Sequence, residues 1–401
     1  MFAGSERLGV EGAAGSEIGS YGPCGAASFA GSERLAVGGA SGRRAERFEA
    51  DPFAGSEWLQ AVAMTRANET RSRAIAVTGS HGRLGGALLR EDADRGEDAD
   101  RGEDRDRGEG RDRGEGSGGG EGSGGGDPID PAGPDLVPWT RRDFDLDHPE
   151  TAAAAIERDR PQLIIHCAAW TDVDGCARDP ELALRRNGTA TGALATACAR
   201  TGTDLVVVST NEVFDGRRTE GRGYREEDPV GPINAYGASK LAGERAATEA
   251  WAATGRSDGL WVVRTAWLYG PPGADFPHKI LAAADRLPPG EPLPVVADET
   301  GSPTFATDLA RAILHLVRAS SGGTFHLVNA GAATRLDWAR AVLDRLRPDR
   351  LTRPISSAAF VRASTPPAWG VLDASAAAGL GVVLRPWEQA LGDYLTVSDG
   401  D

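Results

Sequence analysis

Two groups of residues in this chain could together carry out a hydride transfer. Thr78 to Gly85 (TGSHGRLG) follow a short apolar run, and the spacing of their glycines lets a helix N-terminus approach the diphosphate of a dinucleotide. Much later, Tyr236 and Lys240 lie at i and i+4 of a helical stretch, which puts a phenol and an ammonium on one helix face. The first group predicts a dinucleotide site and the second predicts proton transfer beside it.

The phenol of Tyr236 needs a neighbour to exchange protons near neutral pH. Its unperturbed pKa is about 10, and a nearby ammonium lowers the pKa of a phenol by favouring the charged form. Lys240 is placed to do this, and Ser209-Thr210 end an apolar strand upstream with hydroxyls that could orient a carbonyl oxygen. A purely structural Tyr-Lys pair is the alternative. The glycine loop upstream favours the catalytic interpretation.

The glycine loop has the spacing Gly-x-x-Gly-x-x-Gly. We expect Gly79 to make a tight turn, Gly82 to let the backbone approach a diphosphate, and Gly85 to let helix and strand pack closely. The side chains of His81 and Arg83 either contact phosphate or are solvated. The predicted cofactor-binding residues of the loop are Gly79, His81, Gly82, Arg83, Leu84 and Gly85.

The residues after the second predicted strand distinguish two nicotinamide cofactors. An acidic residue there would hold the ribose 2'-hydroxyl of NADH, whereas an arginine can pair with the 2'-phosphate of NADPH. This chain has Arg141 and Arg142 at that place. We therefore favour NADPH, with Arg141 on the phosphate; NADH stays an option, and a surface arginine pair is the alternative. Asp145 and Leu146 offer a carboxylate and an apolar wall for the adenine.

Apolar runs alternate with helical patterns through the first two thirds of the chain. This alternation predicts an α/β fold with a Rossmann-like doubly wound parallel sheet. Shorter elements rich in Pro and Gly then indicate a smaller C-terminal substrate-binding lobe, so we divide the folded part into 64–270 and 271–401, partly interleaved. The predicted strands are 74–77, 135–137, 163–167, 204–209 and 260–264, and the predicted helices are 84–90, 181–199 and 235–252.

Two segments have compositions that cannot build a core. Residues 1–63 repeat Phe-Ala-Gly-Ser-Glu between Gly- and Ala-rich stretches, and residues 91–126 begin as acidic hexads and end in Gly and Ser. We expect both to be disordered. The second lies between a helix and the next strand, so it should leave the sheet at its N-terminal edge, away from the edge where α/β sites form. We also hypothesise that Met64 is the native start, which the intact mass of the protein from its natural host would test.

Composition restricts the partners and the compartment. The net charge is −15, and no basic stripe offers a surface for nucleic acid or an anionic membrane. The four cysteines, Cys24, Cys167, Cys176 and Cys198, show no Cys-x-x-Cys spacing, so we expect reduced thiols. No apolar run of about 18 residues could cross a bilayer. We predict a cytoplasmic protein with a small-molecule partner, for which a homodimer is an option.

Further motifs carry a resemblance to a known family. They are Ser209 to Gly216 (STNEVFDG), Pro232 to Glu244 (PINAYGASKLAGE), Arg264 to Tyr269 (RTAWLY) and Gly301 to Thr304 (GSPT). With them the chain resembles the dTDP-4-dehydrorhamnose reductases, which are extended short-chain dehydrogenases. Cys167 to Asp174 (CAAWTDVD) also looks like the family's segment beside the nicotinamide ribose. The resemblance covers residue 73 to the C-terminus, except for the insertion.

The resemblance implies NADPH-dependent reduction of the 4-keto group of a nucleotide-linked 6-deoxyhexose, as in dTDP-rhamnose biosynthesis. Tyr236 would donate the proton, Lys240 would tune it and bind ribose, and Thr210 would polarise the carbonyl. Trp267 would pack against the sugar, unless it is a core aromatic. The resemblance further implies cofactor contacts at Cys167, Ala168, Ala169, Tyr236 and Lys240, and substrate contacts at Thr171, Val173, Thr210 and Trp267.

The chain also departs from the family pattern. The family usually has Asp and Tyr where this chain has Asn211 and Glu212, and members that bind magnesium have a glutamate at the place of Ala87. We therefore predict no metal site, and the sugar could differ from rhamnose. Two alternatives stay open: a nucleotide-sugar epimerase or dehydratase of the same fold, and a non-catalytic nucleotide-binding regulatory subunit.

Overall fold

The computed structural model describes residues 74–93 and 135–397, all within the unit Met64–Asp401. The predicted leader 1–63, Met64 and residues 94–126 of the predicted insertion lie outside these ranges. Within the described ranges, no helix combines the length and apolar character needed to cross a membrane.

Thirteen strands lie in the described ranges, and six of them form one parallel sheet in the order β2-β1-β3-β4-β5-β10. The strands are β1 Ile75–Thr78, β2 Leu136–Trp139, β3 Leu163–His166, β4 Asp204–Thr210, β5 Leu260–Thr265, β6 Leu268–Tyr269, β7 Leu293–Val296, β8 Thr300–Gly301, β9 Thr304–Phe305, β10 Gly323–His326, β11 Ala333–Thr334, β12 Thr352–Ile355 and β13 Trp369–Gly370.

Helices connect these strands. They are α1 83–93, α2 Thr151–Asp159, α3 Val173–Arg178, α4 Pro180–Ala183, α5 Ala190–Thr201, α6 Ala235–Thr254, α7 Phe276–Asp285, α8 Ala306–Ala319, α9 Arg335–Leu346, α10 Ser375–Ala378 and α11 Trp387–Val397, with a π-helical turn at Leu184–Thr189 and 3₁₀ turns at Asn211–Val213 and Ser357–Ala359.

Successive residues of the central strands point into two apolar cores. Ile75 and Val77 of β1 pack with α1 and α8, while Ala76 packs with α2, α5 and α6 on the opposite face. Each fully buried aliphatic side chain contributes about 1.5–3 kcal/mol, so this alternation fixes the strand register. The predicted doubly wound α/β fold is therefore confirmed, and its strand order reverses between β1 and β3.

The residues after 271 do not form a separate layer. They supply α8 and β10 to the main fold, and β10 pairs with β5 at the sheet edge. Smaller sheets make up much of the rest: β8 pairs with β11 and β13, β7 with β12, and β6 with β9. That these residues form a substrate-binding lobe stays a prediction.

The sequence prediction differs from the structure within the predicted helix 181–199. The helix is interrupted by the π-helical turn Leu184–Thr189, where the amide of Ala190 donates to the carbonyl oxygen of Arg185. The π turn brings Asn187 to a position where its side chain bonds to neighbouring segments. An Ala-rich pattern carries no signal for such a turn.

Helix α1 extends through residues 91–93, so the predicted disordered insertion does not begin at residue 91. The carboxylate of Asp92 accepts a hydrogen bond from the amide of Leu136 at 3.1 Å, and Glu91 pairs with Arg311 of α8. These contacts order the helix end. They also put the end of α1 at residue 93 near the start of β2, which lies at the N-terminal edge of the sheet because β2 is parallel to β1.

Shortening the insertion should therefore leave the cofactor site intact. We expect a variant with residues 96–132 replaced by about six Gly and Ser residues to bind NADPH within about twofold of the parent, because loop closure depends only weakly on length. Its Tm should stay within about 3 °C. Asp92→Ala in the shortened chain should lower the Tm, since the amide of Leu136 loses its partner. Loss of NADPH binding on shortening alone would contradict this assignment.

Candidate active site

The carboxyl ends of β1 and β3 meet at the point where the strand order reverses. Gly79 follows β1 with φ +67°, a left-handed conformation that favours glycine. A Cβ at Gly79 would lie 2.7 Å from the backbone nitrogen of Ala168, which follows β3. At Gly85 a Cβ would clash with the carbonyl oxygen of Gly79. Both glycines are therefore required by close backbone approach, and the first turn of α1 opens at this edge.

A buried hydrogen-bond network joins the ends of β1 and β3. Thr191 donates its hydroxyl proton to the carbonyl oxygen of Asn187 at 2.8 Å, so it must accept from Nε2–H of His166 at 3.2 Å. The free nitrogen Nδ1 of His166 then accepts from Thr78 at 2.8 Å, and Thr78 accepts from the amide of Ala168 at 3.2 Å. Burial lowers the pKa of His166 to about 3, which keeps the ring neutral.

Asn187 connects this network to the helix that carries Tyr236. Its side-chain oxygen accepts from the amide of Trp170 at 2.8 Å, and its amide group donates to the carbonyl oxygen of Trp170 and to Ser239. Ser239 in turn donates to the carbonyl oxygen of Tyr236 at 2.7 Å. Asn187 is not among the site residues predicted from the sequence, because nothing in its local pattern shows that a π turn aims it at two distant segments.

Thr210 and Tyr236 come together at the carboxyl end of β4. Asn234 caps α6 by accepting from the amide of Gly237, which starts the helix just ahead of Tyr236. The Thr210 hydroxyl acts as a hydrogen-bond partner of the Tyr236 phenol. Burial, followed by the charge of Glu212, raises the pKa of Tyr236 above its usual value. The phenol is therefore protonated at neutral pH, as a proton donor to a carbonyl oxygen must be.

Lys240 does not lower the pKa of Tyr236 in this structure, contrary to the sequence prediction. At the end of β3, its buried ammonium instead adds to the burial that lowers the pKa of His166 and opposes the burial that raises the pKa of Cys167. Burial lowers the pKa of Lys240 itself to about 8, opposed by the charge of Glu244. The geometry puts this cation beside the crevice between β1 and β3, where the predicted ribose contact would lie.

Ser209 and Thr210 have different roles. Ser209 donates its hydroxyl to Glu244, which also forms a buried two-point ion pair with Arg264. Removing one partner of such a pair typically costs about 3–5 kcal/mol. These bonds hold β4, β5 and α6 together, and they leave Thr210 as the hydroxyl at the reacting position.

An aromatic shelf, made by Trp267, Trp338 and Phe276, lies in the C-terminal part of the chain. Trp267 stacks on Trp338 at 5.7 Å between ring centroids, and the guanidinium of Arg335 lies 3.6 Å from the Trp267 ring centroid. Trp267 has φ +45°, which is rare for a bulky residue. The absence of a Cβ at Gly301 leaves room for its indole. Such backbone strain is often found at functional sites.

The other predicted cofactor contacts surround the crevice. His81, Gly82 and Arg141 are exposed, and Asp145 and Leu146 are half-buried. The charge of Arg141 helps to lower the pKa of Asp147. Among the described residues, Nε of the half-buried Arg83 has no hydrogen-bond partner. A glycine cradle with guanidinium groups beside it fits an anionic dinucleotide.

The remaining predicted contacts follow β3 directly. Cys167, Ala168 and Ala169 are half-buried beside the glycine loop, Thr171 is exposed, and Val173 begins α3. A separate cavity of about 1030 Å³ lies between α2 and α5. It is lined by none of the predicted site residues, so we assign the site from its chemistry and not from cavity size.

A doubly wound parallel sheet with a glycine loop, a Tyr-Lys pair and an adjoining hydroxyl defines a nicotinamide-dependent oxidoreductase of the short-chain dehydrogenase class. A family model described as RmlD substrate binding domain matches residues 117–399. The chain is 39% identical over 271 residues to a dTDP-4-dehydrorhamnose reductase of Mycobacterium tuberculosis, covering 66% of this chain and 85% of the relative.

Two further proteins are similar. A dTDP-4-keto-6-deoxy-D-glucose reductase of Streptomyces niveus is 37% identical over 269 residues, covering 66% of this chain and 90% of the relative. The crystal structure of a dTDP-4-dehydrorhamnose reductase from Bacillus anthracis in complex with NADP superposes with a TM-score of 0.64 at 28% identity, covering 80% of this chain and 98% of that one. This chain belongs to the dTDP-4-dehydrorhamnose reductase family, and the predicted resemblance is confirmed.

The glycine loop offers a test with a matched control. We expect Gly85→Ala to weaken NADPH binding by at least about tenfold, because the new methyl group would clash with the backbone at Gly79. Gly86→Ala places its Cβ 3.3 Å from the flexible end of Arg90, which can move away, so it should bind normally. Fluorescence titration with NADPH measures both. Equal affinities would show that the loop backbone does not shape the cofactor site.

Lys240 should give NADPH binding a pH dependence. Its pKa of about 8 in the cofactor-free protein means that it is charged below pH 8 and loses its charge as the pH rises. We expect the affinity to fall above pH 8, by up to about tenfold for each pH unit. Lys240→Met should bind more weakly at pH 7 and lack this fall. If Lys240→Met kept the same fall, another group would be responsible.

Proposed function

We propose that this protein reduces the 4-keto group of a dTDP-linked 6-deoxyhexose with NADPH, the reaction class that its relatives' names describe. The observation that carries the proposal is the meeting of Thr210 and a protonated Tyr236 beside the buried cation of Lys240. A pure binding protein would have no need of this proton-transfer set.

Reduction of the ketone adds a hydride to the carbonyl carbon and a proton to the carbonyl oxygen. NADPH, when bound, supplies the hydride. Thr210 donates a hydrogen bond that polarises the carbonyl oxygen, and Tyr236 gives that oxygen its proton. Lys240, whose charge acts at the end of β3, would bind the nicotinamide ribose. The hydrogen bonds from Asn187 through Ser239 keep the helix carrying Tyr236 at a fixed distance from the crevice.

The binding residues follow from the same placement. Trp267 on the aromatic shelf would pack against the sugar, and Arg141 would hold the 2'-phosphate. For the cofactor we propose Gly79, His81, Gly82, Arg83, Leu84, Gly85, Arg141, Asp145, Leu146, Cys167, Ala168, Ala169, Tyr236 and Lys240. For the substrate we propose Thr171, Val173, Thr210 and Trp267.

One observation disfavours a dehydratase. Such an enzyme would need an acid pair next to Thr210, but the side chain of Asn211 is buried and donates to the carbonyl oxygen of Gly370 at 3.2 Å. Asn211 therefore bonds to the backbone of β13 and provides no acid next to Thr210. We further propose a cytoplasmic location, supported by Cys167, Cys176 and Cys198, which are free thiols in the described residues. For the oligomeric state we propose a homodimer.

Replacing the proton donor tests the mechanism. We expect Tyr236→Phe to lower kcat for NADPH oxidation by about 10³-fold with dTDP-4-keto-6-deoxyglucose, while NADPH still binds. Tyr269→Phe is the matched control, because the Tyr269 hydroxyl is buried without a hydrogen-bond partner in the described residues. Its activity should equal that of the parent. Undiminished turnover by Tyr236→Phe would exclude the proposed role, and tight NADPH binding without any turnover by the parent would favour the regulatory alternative.

A further inference from the structure

Glu212 is fixed beside the two reacting hydroxyls by its backbone. Its amide donates to Oγ1 of Thr210 at 3.2 Å. Its carbonyl oxygen lies so close to Gly237 that a Cβ there would clash with it, and Gly237 adjoins Tyr236. The backbone of Glu212 is therefore held in place between the end of β4 and the first turn of α6.

The side chain of Glu212 is turned toward the site. Its negative charge raises the pKa of Tyr236 and of Cys176. Nδ2 of Asn234 donates to Oε2 at 2.7 Å. Among the residues that the structure describes, no hydrogen bond reaches the second oxygen, Oε1. A carboxylate held through one oxygen keeps the other available to a bound molecule.

Charged groups next to the aromatic shelf are close enough to Glu212 to change its pKa. The charges of Arg335 and Arg362 lower the pKa of Glu212, and the charge of Glu299 raises it. Arg335 is the guanidinium that lies over Trp267, and it also pairs with Glu299 at 3.4 Å. A sugar packed on Trp267 with its carbonyl oxygen at Thr210 and Tyr236 would thus have Glu212 along its edge.

Carbon atoms next to a ketone carry acidic hydrogens, and hydrogen bonds to the carbonyl oxygen increase that acidity. Glu212 is a carboxylate whose backbone contacts Thr210 and whose charge acts on the phenol of Tyr236. We propose that Glu212 exchanges a proton on a carbon next to the substrate's carbonyl group, so that the protein catalyses enolisation of its keto-sugar as well as reduction.

The step is balanced without an external reagent. The Glu212 carboxylate removes the proton, the C–H electron pair becomes the carbon–carbon double bond, and the carbonyl π pair moves to the oxygen. Thr210 and Tyr236 hydrogen-bond to that oxygen. The acid proton of Glu212 exchanges with solvent, and return of a proton from Glu212 to the carbon restores the ketone, so in D₂O the returning atom is deuterium. Burial raises the pKa of Glu212, which makes its carboxylate a stronger base than an exposed one.

The experiment uses the full chain with NADP⁺, which cannot reduce the ketone, and dTDP-4-keto-6-deoxyglucose in D₂O. This inference rests on the proposed function for the choice of ketone. We expect deuterium at a carbon flanking carbon 4, measured by NMR and mass spectrometry, at least about 100-fold faster than in buffer. NADPH oxidation with the same ketone is measured separately, so failure of the reductase and failure of the exchange are distinguishable.

Variants identify the base. Glu212→Gln should reduce exchange by about 100-fold or more, whereas Glu299→Gln, which removes a carboxylate of the same cluster that does not adjoin Tyr236, should retain it. Fluorescence titration with NADPH shows that each variant is folded. Exchange at the buffer rate in a parent that reduces the ketone would overturn the proposal. So would exchange that survives Glu212→Gln while only the KM for reduction changes.

Discussion

The close junction between the ends of β1 and β3 is the constraint on which the rest of the structure depends. Gly79 turns with a positive φ against the backbone of Ala168. The hydrogen bonds from Ala168 through Thr78 and His166 to Thr191 then close the gap between the two strands. Because a side chain on Gly79 would push the segments apart, the crevice at the topological switch point exists only in this arrangement.

The catalytic groups are positioned by reference to that junction. Asn187 ties the segment after β3 to Ser239, one turn into the helix that carries Tyr236. Lys240 is then buried against the end of β3, where Glu244 offsets part of the cost of its burial. Arg264 holds Glu244 from the next strand. A charged lysine and a protonated tyrosine thus share one helix face but act on different parts of the crevice.

Much of this could be predicted from the sequence, because the signals are local. The glycine spacing, the apolar strands and the i, i+4 spacing of Tyr236 and Lys240 are short-range patterns, and they led to the correct fold and family. His81, Arg141 and Thr171 are exposed in the structure. Whether they bind cofactor or substrate stays a prediction.

The rest depends on contacts that no local pattern contains. The π turn at Asn187 is stabilised by partners from two other segments. The charges around Glu212 come from Arg335 and Arg362, far along the chain, so their effect on the site is invisible before folding. The predicted effect of Lys240 on Tyr236 was wrong for the same reason: burial and Glu212 determine the pKa of the phenol.

The crevice should bring a nicotinamide and a keto-sugar together for direct hydride transfer. A direct test uses NADPH with deuterium at both positions of carbon 4 of the nicotinamide ring and dTDP-4-keto-6-deoxyglucose as acceptor. We expect a reduced sugar nucleotide with deuterium on carbon 4, seen by NMR and mass spectrometry. A reduced product without deuterium at that carbon, or no product from a protein that binds both ligands, would contradict it.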